Sequence, residues 1–286
     1  MDKRTRQQAI ELYDRFTHEG MERRAFISEM AKIAGSVAAA ELLITGIAAS
    51  PAAAAVIPPD DKRLTTRTQT LTGGYKAYVA ERRTRSLKPT VMVIHENRGL
   101  NDHIRDVTRR LAVAGFRAVA PDMLSLSGGT PANEDSARDA IGKLDVGRSV
   151  NDAVAMVGEL KKSSRGGKVG AVGFCWGGAF VNRLAVAAGD KLDAAVPYYG
   201  PAPDPSEAPK VEAPMMIHDA GLDTRVNATS FPWVEALRKA GKKVRFFLYD
   251  GVNHAFNNDT SAERYNKPAA DLAWKRTLAF FRQYLG

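Results

Sequence analysis

The stretch GFCWGG, residues 173–178, constrains the fold of this chain more than any other feature, because it joins a buried strand to a helix through a very tight turn. The preceding run, GKVGAVGF, has the length and apolar composition of a strand that is covered on both faces. In such a turn the positions two before and two after Cys175 must lack clashing side chains, and Gly173 and Gly177 meet that requirement. A helix is predicted over 177–188.

Strands and helices alternate along the rest of the chain. Two short alternating stretches within 65–79 predict an antiparallel pair. PTVMVIHE, RAVAPD, DAAVPYYG, APMMIHD and KVRFFLYDG predict further strands, separated by helices and followed by a helix over 269–284. A polar excursion over 124–147 carries a short helix near 133–143. The pattern predicts an α/β fold with a mostly parallel central sheet and helices on both faces, in which ligands bind beyond the carboxyl ends of the strands.

Cys175 is the only cysteine among 286 residues, so it can form neither an intrachain disulfide nor a cysteine-rich metal site. It is either an apolar filler of a glycine-rich turn, since cysteine is among the most buried residue types, or the nucleophile of an enzyme. The N-terminus of a helix favours an anion and lowers the pKa of a thiol. The strand before, the helix after and the partners described next favour the nucleophile.

A nucleophile on this kind of turn is followed in sequence by an acid and then by a histidine. Two of the five histidines, His218 and His254, follow Cys175. The acid expected after the strand of His218 is Asp219 or Asp223, and both come after that histidine. His254 is therefore the predicted base. Asp223 is favoured as its orienting acid because a loop of several residues gives it reach. Asp219 is expected to brace its own loop, and His218 to be a hydrogen-bonded strand-end residue near the site.

Two backbone N–H groups are expected to hold an oxyanion. One belongs to Trp176, directly after the nucleophile, and the other to Asn97 in the loop HENRGL. The same loop carries Glu96, a carboxylate that faces the predicted thiol site. From the residues alone, its alternative role is to cap the loop through an ion pair with Arg98 or Arg105.

HENRGL, APDML, GFCWGG, HDAGLDTRV and GVNHAF occur in this order, and with them residues 65–286 resemble the dienelactone hydrolase family of the α/β-hydrolase fold. The cysteine in the turn is the most specific mark of the resemblance. It implies a catalytic triad of Cys175, Asp223 and His254. It also implies that Glu96 contacts the resting thiol and shifts when substrate binds, so that the thiolate forms only in the complex.

The sequence departs from the family pattern where well-studied members hold the substrate carboxylate with two arginines. The corresponding positions are Leu126, four residues after the PD of the fourth strand, and Asn258, four residues after the triad histidine. Loss of two charge-assisted contacts disfavours dienelactone itself as the substrate. Arg98 and Arg225 are the candidate replacements in substrate binding.

These features predict a cysteine-dependent hydrolase of esters, lactones or thioesters that needs no metal and no cofactor. Two alternatives are left open: a non-enzymatic small-molecule-binding protein of this fold, and an acyltransferase or peptidase with the same triad. The formal charge is +9, but outside one cluster (Arg82, Arg83, Arg85 and Lys88) the basic residues are scattered. No nucleic-acid partner is expected. The expected partner is a small ester or lactone, and a homodimer is left open.

Residues 1–56 form a segment apart from the predicted hydrolase domain, which occupies 57–286. ERRAFIS, then the apolar run IAGSVAAAELLITGIAAS, then PAAAAVIPP follow the order of a targeting peptide. The pair Arg23 and Arg24 resembles a twin-arginine export signal, which predicts cleavage near Ala55 and a periplasmic or exported protein. A cytoplasmic protein is the alternative.

Three other roles compete for this segment: a retained membrane anchor, an amphipathic helix packed on the domain, and a helical arm used in dimer contacts. Glu41 divides the apolar run and Pro51 ends it, so an uninterrupted span of about 20 apolar residues is not available. No stable membrane span is expected in the mature domain.

Overall fold

Continuous apolar runs build the central sheet, because a strand that is covered on both faces has no solvent-facing side. The computed structural model of the protein describes residues 2–48, 55–84 and 86–286. The strands in these residues are β1 (Leu64–Thr70), β2 (Lys76–Arg82), β3 (Thr90–Ile94), β4 (Arg117–Pro121), β5 (Val169–Phe174), β6 (Ala194–Tyr198), β7 (Met215–Ala220) and β8 (Val244–Tyr249).

The strands form one sheet in the order β1-β2-β4-β3-β5-β6-β7-β8. β1 and β2 are antiparallel to each other, with Leu64 opposite Arg82, and β2 is antiparallel to β4. From β4 to β8 every neighbouring pair is parallel. The predicted antiparallel pair and the mostly parallel sheet are confirmed. The parallel part brings the carboxyl ends of β3, β5, β7 and β8 to a single edge.

The helices of the described residues are α1 (Lys3–His18), α2 (Arg23–Ala34), α3 (Val37–Ile47), α4 (Asp102–Val113), α5 (Glu134–Gly142), α6 (Val146–Lys162), α7 (Trp176–Ala188), α8 (Thr224–Lys239) and α9 (Lys267–Leu285). Helix α5 confirms the short helix predicted in the polar excursion. α4 and α9 cover one face of the sheet, where Leu111 and Phe281 are buried. α6, α7 and α8 cover the other face, where Met156, Leu184 and Trp233 are buried. The α/β prediction is therefore confirmed.

Helices α1, α2 and α3 form an N-terminal arm, defined here as residues 2–48, that packs on the domain. Gly35 ends α2 in the left-handed conformation, and the Ser36 hydroxyl caps α3 by accepting a bond from the Ala39 N–H. This arrangement corresponds to the packed-helix alternative for the segment. The predicted boundary between residues 56 and 57 stays a prediction, and most of the predicted cleavage region lies outside the described residues.

Helices α2 and α3 of the arm carry most of the apolar run of the N-terminal segment. No single helix of the described residues is both long and apolar enough to cross a bilayer. Taken together, α2 and α3 have the required length and composition, but the pair is bent by 103° at the break between them.

Candidate active site

The turn between β5 and α7 raises the thiol above the sheet edge. Cys175 has φ 55° and ψ −115°, a conformation that costs on the order of 1–3 kcal/mol in a residue with a side chain. A Cβ on Gly173 would lie 2.0 Å from the Gly177 carbonyl oxygen, and one on Gly177 would lie 2.4 Å from the Ile94 oxygen. The prediction that these two positions must lack side chains is confirmed. The Cys175 N–H donates to the Tyr198 carbonyl at 3.1 Å and anchors the turn.

Four chemically active side chains meet at the carboxyl edge of the sheet. Glu96 follows β3, Cys175 follows β5, Asp223 follows β7 and His254 follows β8. Each is buried, with an exposed fraction between 2% and 8%. The topology thus brings together residues that are up to 158 positions apart in sequence, as expected for a parallel sheet.

His254 is oriented by Asp223. Its Nδ1 lies 2.5 Å from Oδ2 of Asp223, while Oδ1 of the same carboxylate accepts a bond from the Val226 N–H at 3.1 Å and caps α8. Burial alone would raise the pKa of Asp223, but the charge of His254 and the hydrogen bond to it outweigh burial and lower that pKa. Asp223, rather than Asp219, is the carboxylate in contact with the histidine.

The other imidazole nitrogen of His254 faces the thiol. A ring nitrogen of His254 lies within 4.8 Å of the Cys175 Sγ, and Nε2 is the nitrogen that has no hydrogen-bond partner among the described residues. Burial alone would lower the pKa of His254, but a Cys175 thiolate and the Asp223 carboxylate raise it to about 10. The site therefore favours an imidazolium beside a thiolate once the sulfur has lost its proton.

Asp219 and His218 lie deeper, within β7. The Asp219 carboxylate is fully buried without a hydrogen-bond partner in the described part of the chain, and burial raises its pKa to about 7. The expectation that Asp219 braces its own loop is therefore wrong. His218 is hydrogen-bonded, as predicted, at 2.9 Å from the Tyr249 hydroxyl and 3.1 Å from the Thr277 hydroxyl. Burial lowers its pKa to about 3, so it stays neutral.

Glu96 lines the cavity beside the thiol together with Asn258. Its Oε2 accepts a bond from the Asn258 Nδ2 at 2.8 Å, and its Oε1 has no partner among the described residues. Arg98 instead pairs with Glu134 at 2.5 Å, and the nearest acid to Arg105 is Asp102, at 4.0 Å. The alternative of a loop-capping ion pair for Glu96 is therefore wrong.

The two predicted oxyanion donors flank the thiol. Trp176 is the first residue of α7, where a backbone N–H has no acceptor within its own helix. Asn97 lines the cavity, and its side-chain amide approaches the Thr17 carbonyl at 3.5 Å. The assignment of these N–H groups to an oxyanion stays a prediction.

The predicted substrate-binding positions separate into two groups. Asn258 and Arg98 line the cavity. Leu126 is half exposed in a turn after β4 and does not line the cavity within the described residues, so its placement at the substrate is corrected. Arg225, at the start of α8, does not line it either. Arg264, which sequence reasoning missed, does, and it is paired with Asp14 of the arm at 3.3 Å.

The arm closes the cavity from above. Tyr13, Thr17 and His18 complete its lining, and the enclosed volume is about 20 Å³, enough for about one water molecule. His18 Nε2 lies 3.2 Å from the Cys175 Sγ. Sequence reasoning missed these residues because it searched for histidines only after the nucleophile. The usable signal was the apolar spacing of Ile10 and Tyr13 in α1, which is typical of an amphipathic helix.

One group of potential metal ligands lies at this point. The ligand atoms of His18, Cys175 and His254 are all within 4.8 Å of one another. A thiolate and two imidazoles form a donor set that zinc accepts, so these three residues are where the described structure could hold such an ion.

Comparison with known proteins shows the family to which the chain belongs. Residues 75–285 match the model of the dienelactone hydrolase family. The chain belongs to the dienelactone hydrolase family. A protein of Methylorubrum extorquens, provisionally named carboxymethylenebutenolidase, is 33% identical over 212 residues, covering 68% of this chain and 72% of the relative. Protein usf of Aquifex pyrophilus is 35% identical over 211 residues, covering 69% and 89%.

A solved structure agrees with these relatives. A provisionally named dienelactone hydrolase from Klebsiella pneumoniae has a TM-score of 0.69 at 26% identity, covering 77% of this chain and 99% of that chain. The predicted family, the α/β-hydrolase fold and the prediction of a carboxylic ester hydrolase are thereby confirmed.

Proposed function

We propose that this dienelactone hydrolase-like enzyme cleaves small esters, lactones or thioesters through a Cys175 thiolate and a covalent acyl-enzyme. The observation that carries the proposal is the series of side-chain contacts at the sheet edge. Asp223 bonds to His254 at 2.5 Å, and the free nitrogen of His254 faces a cysteine held on a strained turn. A nucleophile, its base and an orienting acid are the parts that acyl transfer needs.

The proposed reaction has two halves. His254 takes the proton of Cys175, and the thiolate attacks the carbonyl carbon, whose π electrons move to oxygen. The N–H groups of Trp176 and Asn97 stabilise this oxyanion. Its collapse breaks the ester bond, and the departing alkoxide takes the proton from His254. Water, deprotonated by His254, then attacks the thioester, releases the acid and restores the thiol.

The charges around the cavity support a substrate with an uncharged acyl group. Arg98 is already neutralised by Glu134, and Arg264 by Asp14. Of the other residues that line the cavity, Glu96 is the acidic one, and His18 and His254 are the ones that can carry a positive charge. The Glu96 carboxylate would repel a second carboxylate on the substrate, and Asn258 stands where well-studied family members place an arginine. Simple esters are therefore favoured over dienelactone, although Arg264 loses its partner Asp14 when the arm moves.

The test compares wild type with Cys175→Ala on short nitrophenyl esters. We expect kcat/KM to fall by roughly a thousandfold or more, since the covalent route is lost. Lys242→Ala, at a partly exposed ion pair with Glu212, is the matched control and should keep the wild-type rate. Equal rates for wild type and Cys175→Ala would remove Cys175 from the mechanism.

Product analysis separates the alternatives. An acyltransferase or peptidase would pass the acyl group to an added alcohol or amine, or cleave a peptide bond, whereas a hydrolase yields the free acid. A protein that only binds small molecules would retain the ester unchanged.

Export through the twin-arginine signal is proposed on the sequence features alone, namely Arg23, Arg24 and the apolar run that follows. N-terminal sequencing of the protein recovered from cells tests it: a new N-terminus near Ala55 supports export, and an intact N-terminus supports the cytoplasmic alternative. A homodimer likewise stays a prediction, tested by the mass in light scattering.

A further inference from the structure

The ring of His18 is locked in one tautomer by its own helix. Nδ1 lies 2.8 Å from the Asp14 carbonyl oxygen and 2.9 Å from the Thr17 hydroxyl, which itself donates to the Tyr13 carbonyl at 3.0 Å. Both neighbours of Nδ1 therefore accept, so Nδ1 carries the proton. The other nitrogen, Nε2, presents its lone pair to the Cys175 sulfur at 3.2 Å.

This lone pair favours the neutral thiol. An S–H group at this distance donates to Nε2, whereas a thiolate would face a lone pair of electrons and be repelled. The Asp14 carbonyl and the Thr17 hydroxyl hold the proton on Nδ1, so Nε2 of His18 remains the acceptor. His18 and His254 therefore act in opposite directions on the same sulfur, since His254 stabilises the thiolate.

The closed arm also leaves no room for a substrate. The cavity at Cys175 measures about 20 Å³, whereas pockets for small molecules measure roughly 300–1,000 Å³. The side chains that fill the missing space come from the end of α1. An ester can reach Cys175 only after this part of the arm has moved.

The arm is built to move as a unit. Its apolar cluster is made entirely of its own residues, with Tyr13, Phe26, Met30 and Ile47 among the buried members, and the half-buried residues packed on that cluster also belong to the arm. It therefore keeps its core when it leaves the domain.

Polar contacts attach the arm to the domain. Arg6 pairs with Glu263 at 2.5 Å. The Ile47 carbonyl accepts bonds from the Ser261 hydroxyl at 2.6 Å and from the Arg264 Nε at 3.2 Å. Arg23 pairs with Asp135. Water can replace such contacts at little cost where they are exposed, as at Arg6 and Arg23.

We propose that, in the chain that keeps its N-terminal segment, the N-terminal arm is a lid on the active site and that His18 holds Cys175 as an unreactive thiol while the lid is closed. Cleavage near Ala55 on export would remove this lid. The proposal rests on the proposed function, because it takes Cys175 as the nucleophile. It assigns to His18 the contact with the resting thiol that the family resemblance assigned to Glu96, whose Oε2 is bonded here to Asn258.

The test is the alkylation rate of the folded full chain with iodoacetamide at neutral pH. Cys175 is the only thiol, so each event forms one S–C bond at a known residue and releases iodide. His18→Ala removes the acceptor and opens the cavity, and we expect its alkylation to be about tenfold faster than that of wild type. Circular dichroism and the melting temperature report whether the variant is folded.

A second variant opens the lid without touching the site. Arg6→Glu places like charges opposite Glu263 on the exposed side of the arm, and we expect alkylation about threefold faster than in wild type. Lys242→Glu makes the same charge reversal opposite Glu212 on the domain and should keep the wild-type rate. An unchanged rate in folded His18→Ala overturns the role of His18, and an unchanged rate in Arg6→Glu overturns the lid.

Ester hydrolysis by the same variants distinguishes failure of this proposal from failure of the proposed function. If alkylation follows the expected order but no variant hydrolyses esters, the lid stands and the hydrolase proposal fails. If hydrolysis depends on Cys175 while alkylation is the same in all variants, the hydrolase stands and the lid proposal fails.

Discussion

The carboxyl edge of the sheet and the arm above it are held by different forces. At the edge, Cys175, Asp223 and His254 are fixed by strand ends, by close backbone approaches and by a sheet buried on both faces. The arm has its own apolar core and reaches the domain mainly through ion pairs and hydrogen bonds. The edge is therefore rigid because of its packing, whereas the arm can change position at moderate cost.

Glycine substitutions test this contrast most strongly. Gly177→Ala forces a Cβ to within 2.4 Å of the Ile94 oxygen, at backbone that cannot yield. We expect it to lower the free energy of unfolding by about 4 kcal/mol or more, or to prevent folding. Gly35→Ala in the arm has open space and only an unfavourable φ of +85°, so about 1 kcal/mol is expected. Thermal melts of both variants measure the difference, and equal melting temperatures would contradict the contrast.

Substitution of the acids at the edge tests which carboxylate orients the base. Asp223→Asn keeps the size of the side chain but removes the charge beside His254, and we expect kcat on nitrophenyl esters to fall by roughly a thousandfold or more. Asp219→Asn should change kcat by less than about threefold, because Asp219 makes no hydrogen bond to the histidine. A larger loss in Asp219→Asn than in Asp223→Asn would reverse the assignment.

Asp219 should make the stability of the domain depend on pH. Burial raises its pKa from 3.8 to about 7, so the folded state retains a proton that the unfolded state has lost. The stability that this retained proton contributes is fully present below pH 4 and is lost as the pH rises through about 7. The free energy of unfolding falls by roughly 2–4 kcal/mol over this range. Urea unfolding should therefore show that Asp219→Asn stabilises the protein more at pH 7.5 than at pH 4.5. A stabilisation that is equal at both pH values would exclude this explanation.

Glu96→Gln gives the smallest expected effect. The Glu96 carboxylate lines the cavity of Cys175 and disfavours a second negative charge there, so its neutralisation should speed alkylation of the thiol by about two- to threefold. The increase should be smaller than that in His18→Ala, since Glu96 is bonded to Asn258 rather than to the sulfur. A larger increase in Glu96→Gln would return the role of thiol partner to Glu96.

The sequence predicted the edge far better than the arm. The turn at Cys175 is local, because two glycines and their neighbours determine it, and the order of strands determines which histidine follows. The contact between His18 and Cys175 joins residues 157 positions apart and has no local pattern. The apolar residues of the arm were also compatible with a leader peptide, since a small helical core and a targeting segment have similar composition.

Two predictions at the edge, for Asp219 and Leu126, were wrong for physical reasons. Asp219 lies in β7, where every residue is buried, whichever face of the sheet its side chain is on. No sequence pattern shows that its carboxylate lacks a hydrogen-bond partner among the described residues. Leu126 matched a family position by counting from the fourth strand, but the turn that carries it does not line the cavity.

The central claim is that the domain carries the complete catalytic set and that the arm only covers it. The direct test inserts a cleavage site for a sequence-specific protease between residues 48 and 55, cuts the folded protein, and separates the arm by gel filtration. Ester hydrolysis by the released domain, with a cooperative thermal melt showing that it is still folded, should then be about tenfold faster than before the cut. A fall to the rate of Cys175→Ala would contradict the claim, because the arm would then be part of the catalytic machinery.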